Sequence, residues 1–281
     1  MQHLFTLIRK VTTVKAYKII DSHCHIYPDK IAEKAAAGTG HFYGLPPYLD
    51  GRISTLLEHG TAAGIDHFIV QSVATPPKQV SSITHFIAEA VEKSNGKFTG
   101  LGTLHPDSDN IKAEVEEILA LGLKGVKLHP EIQGFSLLDD RCDLIYKLCL
   151  KYNLALLLHT GDCRYDYSNP KELSEILERY PDLTVIGAHL GGYTVWEEAV
   201  KVLPKYKNLY VDCSSSLMYI TPERATELIR EYGADRVLWG TDYPMWGFEE
   251  EMERFSALSL NEEEKEQILC KNAQKLFGIK L

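Results

Sequence analysis

The sequence contains no pair of cysteines at C-x-x-C spacing, and its six cysteines are scattered over 281 residues. A chain of this length does not need disulfides for stability, so the pattern indicates reduced thiols and a cytoplasmic protein. No run of apolar residues approaches the roughly 20 that a membrane-spanning helix needs. We therefore expect no membrane partner.

Positive charge is scarce as well: 30 Lys and Arg residues face 39 Asp and Glu residues, which leaves a net charge of -9. An acidic surface repels phosphates, so we expect no nucleic-acid partner. The stretch GAHLGG lacks the G-x-G-x-x-G spacing of a dinucleotide-binding loop, which argues against an open doubly wound sheet. Residues 1–17 place a short apolar run before Arg9 and Lys10, unlike a secretory signal, and we predict that they form an N-terminal extension.

Short apolar runs alternate along the chain with amphipathic stretches of helical periodicity. The runs predict eight strands: 18–25, 66–74, 98–104, 125–129, 155–160, 184–190, 209–214 and 237–243. Eight such units at roughly 30-residue spacing are typical of a closed (β/α)8 barrel, or TIM barrel, of parallel strands. We expect residues 18–281 to form it as a single domain. Residues 26–51, rich in Gly, Pro and aromatic residues, predict a long loop with the role of a lid.

The carboxyl ends of the strands share one rim in a parallel barrel, and catalytic residues lie there. Imidazole, ammonium and carboxylate groups end the predicted strands: His23, His25, Lys127, His129, His159, His189 and Asp242. His23 and His25 stand on the same strand face, about 6.5 Å apart. Imidazole and carboxylate ligands suit Zn²⁺, with Mn²⁺ or Fe²⁺ as alternatives, so the rim predicts a divalent metal site. Asp21 shares this face, either to orient a ligand imidazole or as a buried structural acid.

Five segments, in this order, resemble the amidohydrolase superfamily: DSHCH, GVKLHPE, LLLHTGD, IGAHLGG and VLWGTDYP. They are most similar to the amidohydrolase-related (amidohydrolase 2) group that includes aminocarboxymuconate-semialdehyde decarboxylase. The resemblance implies one metal ion held by His23, His25, His159 and Asp242, with His189 beside it. In benzoate-type decarboxylases of this group the first metal-binding motif is typically Glu-x-His. This chain has His-x-His instead, which argues against a benzoate-type decarboxylase.

The resemblance leaves the metal count and the substrate contacts open. Some members of the superfamily carry a carboxylated lysine that bridges two metals, so Lys127 either supplies this bridge, binds a substrate carboxylate or forms a structural ion pair. His129 shares the strand face of Lys127 and is a candidate for lining the pocket. Arg164 is placed to grip an anionic group by a bidentate contact, unless it is merely solvated. Tyr193 and Trp246 either wall the pocket or pack between neighbouring loops.

The predicted function is that of a metal-dependent hydrolase acting on a small, carboxylate-bearing molecule. In this scheme the metal activates a water, Asp242 takes its proton and His189 stabilises the oxyanion. The alternative is a lyase, a non-oxidative decarboxylase or hydratase on the same mononuclear site, because fold alone does not choose between them. A homodimer is left open as the assembly.

Overall fold

The computed structural model describes residues 17–281, so the predicted N-terminal extension lies outside the described residues except for its last position. The fold is a barrel of parallel strands surrounded by helices, as the sequence predicts. Nine strands lie within the described range: β1 (Ile20–His25), β2 (His67–Gln71), β3 (Phe98–Gly100), β4 (Gly102–Thr103), β5 (Gly125–Leu128), β6 (Ala155–Leu158), β7 (Val185–Gly187), β8 (Leu209–Asp212) and β9 (Val237–Leu238).

Hydrogen bonds order these strands as β1-β2-β3 and β4-β5-β6-β7-β8-β9. The third predicted strand is split at Leu101 into β3 and β4. The ring closes between the first and last strands, because Ser22 N donates to Trp239 O at 2.9 Å and His25 N donates to Tyr243 O at 2.7 Å. All the pairings are parallel, so the strands end at one rim.

Most strands are shorter than predicted at their carboxyl ends. His129, His159, His189 and Asp242 each follow the last strand residue by one to four positions instead of lying within the ladder. His189 and Asp242 have left-handed backbones, with φ of 59° and 58°, which no strand residue adopts. The chain therefore turns at these residues, and their side chains face the rim.

Helices cover the outside of the barrel, and the amphipathic stretches predicted as helices all form. Within residues 17–281 the α-helices are α1 (Ala32–Tyr43), α2 (Ile53–Ala62), α3 (Val80–Lys93), α4 (Ile111–Ala120), α5 (Pro130–Gln133), α6 (Asp143–Lys151), α7 (Pro170–Arg179), α8 (Trp196–Val202), α9 (Pro222–Tyr232), α10 (Phe248–Ser256), α11 (Glu262–Glu266) and α12 (Asn272–Phe277). A π-helical turn, Gln267–Lys271, joins the last two. An Asn N-cap begins α11: the Asn261 side chain accepts from Glu264 N at 2.9 Å, and the Asn261 backbone N donates to the Glu264 carboxylate at 2.8 Å.

Residues 26–51 are not the irregular loop that their composition predicts, because α1 occupies their centre. Glycine and proline are poor helix formers, which explains why the pattern indicates a loop. Gly40 permits the close packing of α1: a Cβ there would lie 2.4 Å from Leu45 O. The helix ends at Gly44, whose φ of 69° is the left-handed conformation of a C-cap. Whether this segment acts as a lid stays a prediction.

Two apolar clusters form the core. The larger lies between the strands and the helices. The smaller combines inward-facing strand residues such as Leu157 and Leu238 with Ala273 and Phe277 of α12. Lys127 pairs in register with Leu157, so it stands on the same inner face of the barrel. None of the helices in the described part of the chain is long and apolar enough to cross a membrane.

Candidate active site

Three of the four predicted metal ligands converge at the rim. His23 Nε2 lies 3.2 Å from His25 Nε2. Asp242 Oδ1 lies 3.5 Å from His23 Nε2 and 3.6 Å from His25 Nε2. The ligand atoms of these three residues all lie within 4.8 Å of one another, which is a suitable arrangement for one ion. We call His23, His25 and Asp242 the metal cradle.

Hydrogen bonds show which nitrogen of His23 is free to bind a cation. Burial lowers the pKa of His23 well below its ordinary value, so the ring is neutral. Its Nδ1 lies 2.9 Å from Asp212 Oδ2, a carboxylate oxygen that only accepts, so the single proton is on Nδ1. The lone pair on Nε2 then faces Asp242 and His25, where it is available to a metal ion. The cradle therefore fits a metal ion.

His159 and His189 flank the cradle. His189 Nδ1 lies 3.0 Å from the carbonyl oxygen of Ser214, which leaves the lone pair on Nε2, and this atom lies 3.1 Å from His159 Nδ1. The rings of His23 and His189 stack at 5.3 Å between centroids. His159 does not group tightly with His23 within the described residues; it groups with His129 and Glu131. Its role as a fourth ligand stays a prediction; in this structure its Nδ1 faces His189 and its Nε2 faces Tyr43.

Lys127 is a fully buried cation beside the cradle, with Nζ 3.4 Å from His23 Nε2. Burial lowers the pKa of Lys127 to about 8, and the nearby carboxylates of Asp242, Asp212 and Glu131 oppose that shift. An ammonium in this position can bind a substrate carboxylate. Its carboxylation and a second metal ion stay predictions.

Asp242 combines a strained backbone with a perturbed carboxyl group. The left-handed φ of a non-glycine residue costs on the order of 1–3 kcal/mol and is concentrated at functional sites. Burial raises the pKa of Asp242 to about 7, while a hydrogen bond from Ser215 Oγ to Oδ2, at 2.6 Å, opposes the rise. Trp246 Nε1 donates to Ser215 Oγ at 2.7 Å, so Trp246 orients the hydroxyl that holds Asp242.

The two buried aspartates near His23 have different roles. Asp21 accepts from His23 N at 3.1 Å, from Thr241 N at 3.0 Å and from Thr241 Oγ1 at 2.6 Å. It therefore ties β1 to the chain after β9 and is the structural acid of the two alternatives. The imidazole of His23 is oriented by Asp212, which the sequence analysis missed. The signal was present, since Asp212 lies in the second half of the predicted strand 209–214, and Asp242 lies in the second half of the predicted strand 237–243.

A second polar group lies next to the cradle and includes two residues that were not predicted as site residues. The Tyr43 hydroxyl, from the end of α1, lies 2.8 Å from His129 Nε2 and 3.2 Å from His159 Nε2. The rings of His129 and His159 stack at 4.0 Å and an angle of 6°. Glu131 Oε2 lies 3.4 Å from His129 Nδ1, and burial raises the pKa of Glu131 to about 7. Only tertiary structure brings α1 to this group.

Arg164 does not line the cavity, in contrast to its predicted contact with substrate. Its guanidinium donates from Nη2 to Asp162 Oδ2 at 2.7 Å and from Nη1 to the carbonyl oxygen of Phe42 at 2.7 Å. It also lies over the ring of Tyr43, 5.1 Å from the centroid. These contacts use the hydrogen-bond donors of the guanidinium group on both sides. Arg164 therefore links the loop after β6 to the end of α1.

A cavity of about 570 Å³ extends outward from the cradle. This volume lies within the roughly 300–1,000 Å³ of small-molecule sites. Four of the five predicted substrate residues line it: Lys127, His129, Tyr193 and Trp246. Apolar side chains from α1, α3 and neighbouring loops form the remainder of its wall.

A closed barrel of parallel strands with a His/Asp cluster at its carboxyl rim defines the class of TIM-barrel proteins with a candidate metal centre. Within that class, this chain belongs to the amidohydrolase family, whose sequence profile matches residues 20–279. This match confirms the resemblance seen in the sequence segments at the strand ends.

The curated relatives are decarboxylases. The gamma-resorcylate decarboxylase of Polaromonas sp. strain JS666 is 31% identical over 122 residues, which cover 38% of this chain and 37% of that enzyme. The gamma-resorcylate decarboxylase of Rhizobium sp. strain MTP-10005 is 29% identical over 122 residues, again 37% of that enzyme. The aligned segment thus spans little more than a third of the length of either relative.

Solved structures share the fold over nearly the whole chain. An uncharacterized TIM-barrel protein, Bb4693 from Bordetella bronchiseptica, superposes with a TM-score of 0.78 at 24% identity, covering 93% of this chain and 98% of that one. The 5-carboxyvanillate decarboxylase LigW from Sphingomonas paucimobilis gives 0.75 at 14% identity, covering 94% and 100%. A dihydroxybenzoic acid decarboxylase from Polaromonas sp. JS666, solved with bound manganese, gives 0.66 at 18% identity, covering 93% and 97%.

These comparisons contradict the prediction of a hydrolase. The curated relatives are decarboxylases, and the alternative that the sequence left open fits them better. The inference from His-x-His against benzoate-type decarboxylases is wrong for the same reason. One barrel rim with one cation site serves both hydrolysis and decarboxylation, so the ligand pair alone does not decide between the two reactions.

Proposed function

We propose that this protein is a metal-dependent, non-oxidative decarboxylase of a hydroxylated aromatic acid. The observation that carries the proposal is the position of Asp242, whose carboxyl group lies between the cradle histidines and a largely apolar cavity. A carboxyl group in this position can hand a proton to a substrate held in the cavity. The similarity to gamma-resorcylate decarboxylases supports the substrate class.

The reaction replaces a carboxylate on a ring carbon with a proton. Lys127 holds the leaving carboxylate, since its ammonium is buried and lies 3.4 Å from His23 Nε2 at the edge of the cradle. Asp242 delivers its proton to the ring carbon, and the electron pair of the bond between ring and carboxylate becomes the new C–H bond as CO₂ departs. Solvent then returns a proton to Asp242.

The wall of the cavity assists this step by excluding water. Tyr43 packs edge-on against Tyr193 at 5.5 Å between ring centroids, and both rings stand beside His159. A carboxylate that has lost its water shell is destabilised relative to a transition state in which the charge is spread. Hydrolysis, by contrast, needs a water molecule held at the same place.

The divalent ion would be held by His23, His25 and Asp242, with His159 as the further ligand predicted from the sequence, and would supply a Lewis acid for a substrate oxygen. Imidazole and carboxylate ligands accept either Zn²⁺ or Mn²⁺. We propose Mn²⁺ as the working ion in place of the predicted Zn²⁺, because manganese is bound in the similar Polaromonas structure. One ion per chain leaves Lys127 free for the carboxylate. Three further predictions remain part of the proposal: the partner is a small molecule, the protein forms a homodimer, and it is located in the cytoplasm.

The test is to load the purified protein with Mn²⁺, incubate it with a panel of mono- and dihydroxybenzoates, and measure released CO₂. In D₂O the product should carry deuterium at the carbon that lost its carboxylate. Asp242→Asn should abolish both signals, and Asp182→Asn, an exposed aspartate outside the site, should leave both unchanged. A loaded protein that releases no CO₂ from any member of the panel contradicts the proposal.

A further inference from the structure

The outer part of the cavity is a groove between two helices. One face of α1 and one face of α3 form its sides, and the chain after β2 forms its floor. We call this the α1–α3 groove and define it by Ile31, Ala35, Gly38, Val73, Ile83 and Phe86. The lining of α1 runs from Ile31 to Phe42, which is roughly 16 Å along the helix at about 1.5 Å per residue. The cavity therefore extends well beyond the cradle.

The groove is mainly apolar, with the hydroxyl groups of Thr39 and Ser82 among its lining, and the protein does not fill it. Ile83 and Phe86 are only partly buried, and Ile31 is 51% exposed. Gly38 faces open space, because a Cβ built on it would meet nothing within 4 Å. Large apolar side chains that face an open channel are typical of a surface that a ligand covers.

Charge is confined to the inner end of this cavity. Among its lining residues within the described chain, Lys127 is the one ammonium group and Asp242 the one carboxylate, and both lie at the cradle. The residues that line the α1–α3 groove include hydroxyl groups but no Lys or Arg that could pair with a second carboxylate. A second charged group on the ligand would therefore lose its water shell without gaining a counter-ion.

We propose that the substrate is a monocarboxylic acid with an extended apolar substituent, which binds in the α1–α3 groove while the carboxylate lies at the cradle. This inference rests on the proposed decarboxylase function and specifies its substrate class. A group on the ring opposite the carboxylate points away from the cradle and along the groove. Specificity then resides in α1 and α3, and the chemistry resides at the strand ends.

The test uses 2,6-dihydroxybenzoate and its 4-methyl, 4-propyl and 4-pentyl derivatives as probes of the Mn²⁺-loaded protein. Calorimetry measures affinity, and released CO₂ measures turnover. Each buried methylene should tighten binding by roughly fourfold, so the pentyl acid should bind at least about fiftyfold more tightly than the parent acid. An affinity that is flat or falls with chain length overturns the proposal.

Two variants locate the effect. Gly38→Phe places a ring in the groove without a clash and should reduce the pentyl-to-parent affinity ratio to near one. Ala37→Phe, the adjacent exposed position of α1 outside the cavity lining, should keep the wild-type ratio. Ile83→Gln keeps the size of the side chain and should also lower the pentyl-to-parent affinity ratio. It provides a second test if Gly38→Phe folds poorly. An unchanged ratio in both groove variants overturns the proposal.

The same measurements separate this inference from the proposed function. Rising affinity along the series without CO₂ release supports the groove and contradicts the decarboxylase. Release of CO₂ from the parent acid, with an affinity that does not change along the series, supports the decarboxylase and contradicts the groove. Binding of none of the acids contradicts both. Light scattering tests whether a second copy of the chain fills the groove instead of a substrate. That outcome requires a wild-type dimer that dissociates in Gly38→Phe, together with an affinity that does not change along the series of acids.

Discussion

The metal cradle and the α1–α3 groove belong to one cavity, yet they are built in opposite ways. In the cradle, buried polar atoms are held by specific partners: Asp212 accepts from His23, and Ser215 donates to Asp242. In the groove, helices present apolar side chains that are partly exposed. The comparison teaches that strand ends place the polar groups of the cavity, whereas helices supply most of its apolar wall.

The cradle and α1 are held in place by different kinds of contact. The cradle stands on a closed ring of strands whose backbone groups are paired across β1 and the segment after β9. By contrast, the carboxyl end of α1 is held by the hydrogen bond from Arg164 to Phe42 O and by contacts of Tyr43 with two histidines. Substitutions in the cradle should therefore affect chemistry strongly, and substitutions around α1 should affect it weakly.

The largest effect is expected from removing a cradle ligand. His23→Ala should lower the metal content from about one ion per chain to below about a tenth, and decarboxylation should fall by about a thousandfold or more, because a Lewis acid supplies several kcal/mol. Elemental analysis and CO₂ release measure the two. His67→Ala, a buried histidine that hydrogen-bonds Thr99 instead, is the control and should retain its metal. A metal-free variant with the wild-type rate contradicts the cradle.

Asp212→Asn should weaken metal binding by about 10- to 100-fold, as loss of an outer partner of a ligand histidine typically does. In Asp212, Oδ1 accepts from Ser214 N at 3.1 Å, so the new amide nitrogen takes the place of Oδ2 beside His23 Nδ1. A donor at this place favours the tautomer with a proton on Nε2, which cannot bind a cation. Competition with a chelator measures the affinity. An unchanged value refutes the orienting role of Asp212.

Asp21→Ala should lower the free energy of unfolding and should have little effect on ligand binding in the α1–α3 groove. It removes the acceptor of three buried donors, from His23 and Thr241, and each unsatisfied donor costs about 1–3 kcal/mol. Urea denaturation should show a free energy of unfolding lower by at least about 3 kcal/mol. Asp21→Asn, which keeps an oxygen acceptor, should recover most of it. Equal stability of Asp21→Ala and wild type would falsify this tie between the first and last strands.

The smallest effect is expected from Arg164→Ala, in the region of α1. The variant loses one hydrogen bond to Phe42 O and a cation–π contact with Tyr43, together about 1–2 kcal/mol, and only part of this acts on the cavity, so the KM should rise by less than about tenfold with little change in kcat. The ion pair with Asp162 is lost as well, and its loss should lower the stability of the loop after β6. Limited proteolysis should become faster at the end of α1. A direct grip on substrate, as the sequence suggested, would instead raise the KM for the acid by more than tenfold without exposing α1.

Several features of the site were predictable from the sequence because they depend on local periodicity. Alternating apolar runs and amphipathic stretches predict the barrel, and the position of His23, His25 and Asp242 at strand ends predicts the cradle. The helix α1 was not predictable, since Gly and Pro around it carry a local signal for a loop, and its packing against the rim overrides that signal.

The sequence by itself determined the fold class and placed His23 and His25 on one strand face, because side-chain direction along a strand follows from backbone geometry alone. The turn that brings Asp242 to them lies beyond the last strand and belongs to the tertiary structure. Only the tertiary structure decided which residues support the cradle. Asp212 orients His23, Tyr43 reaches His129 from a helix 86 positions away in the chain, and Arg164 is occupied by Asp162 and α1. Such contacts depend on how separate βα units pack around the barrel axis, and no short stretch of sequence carries that information.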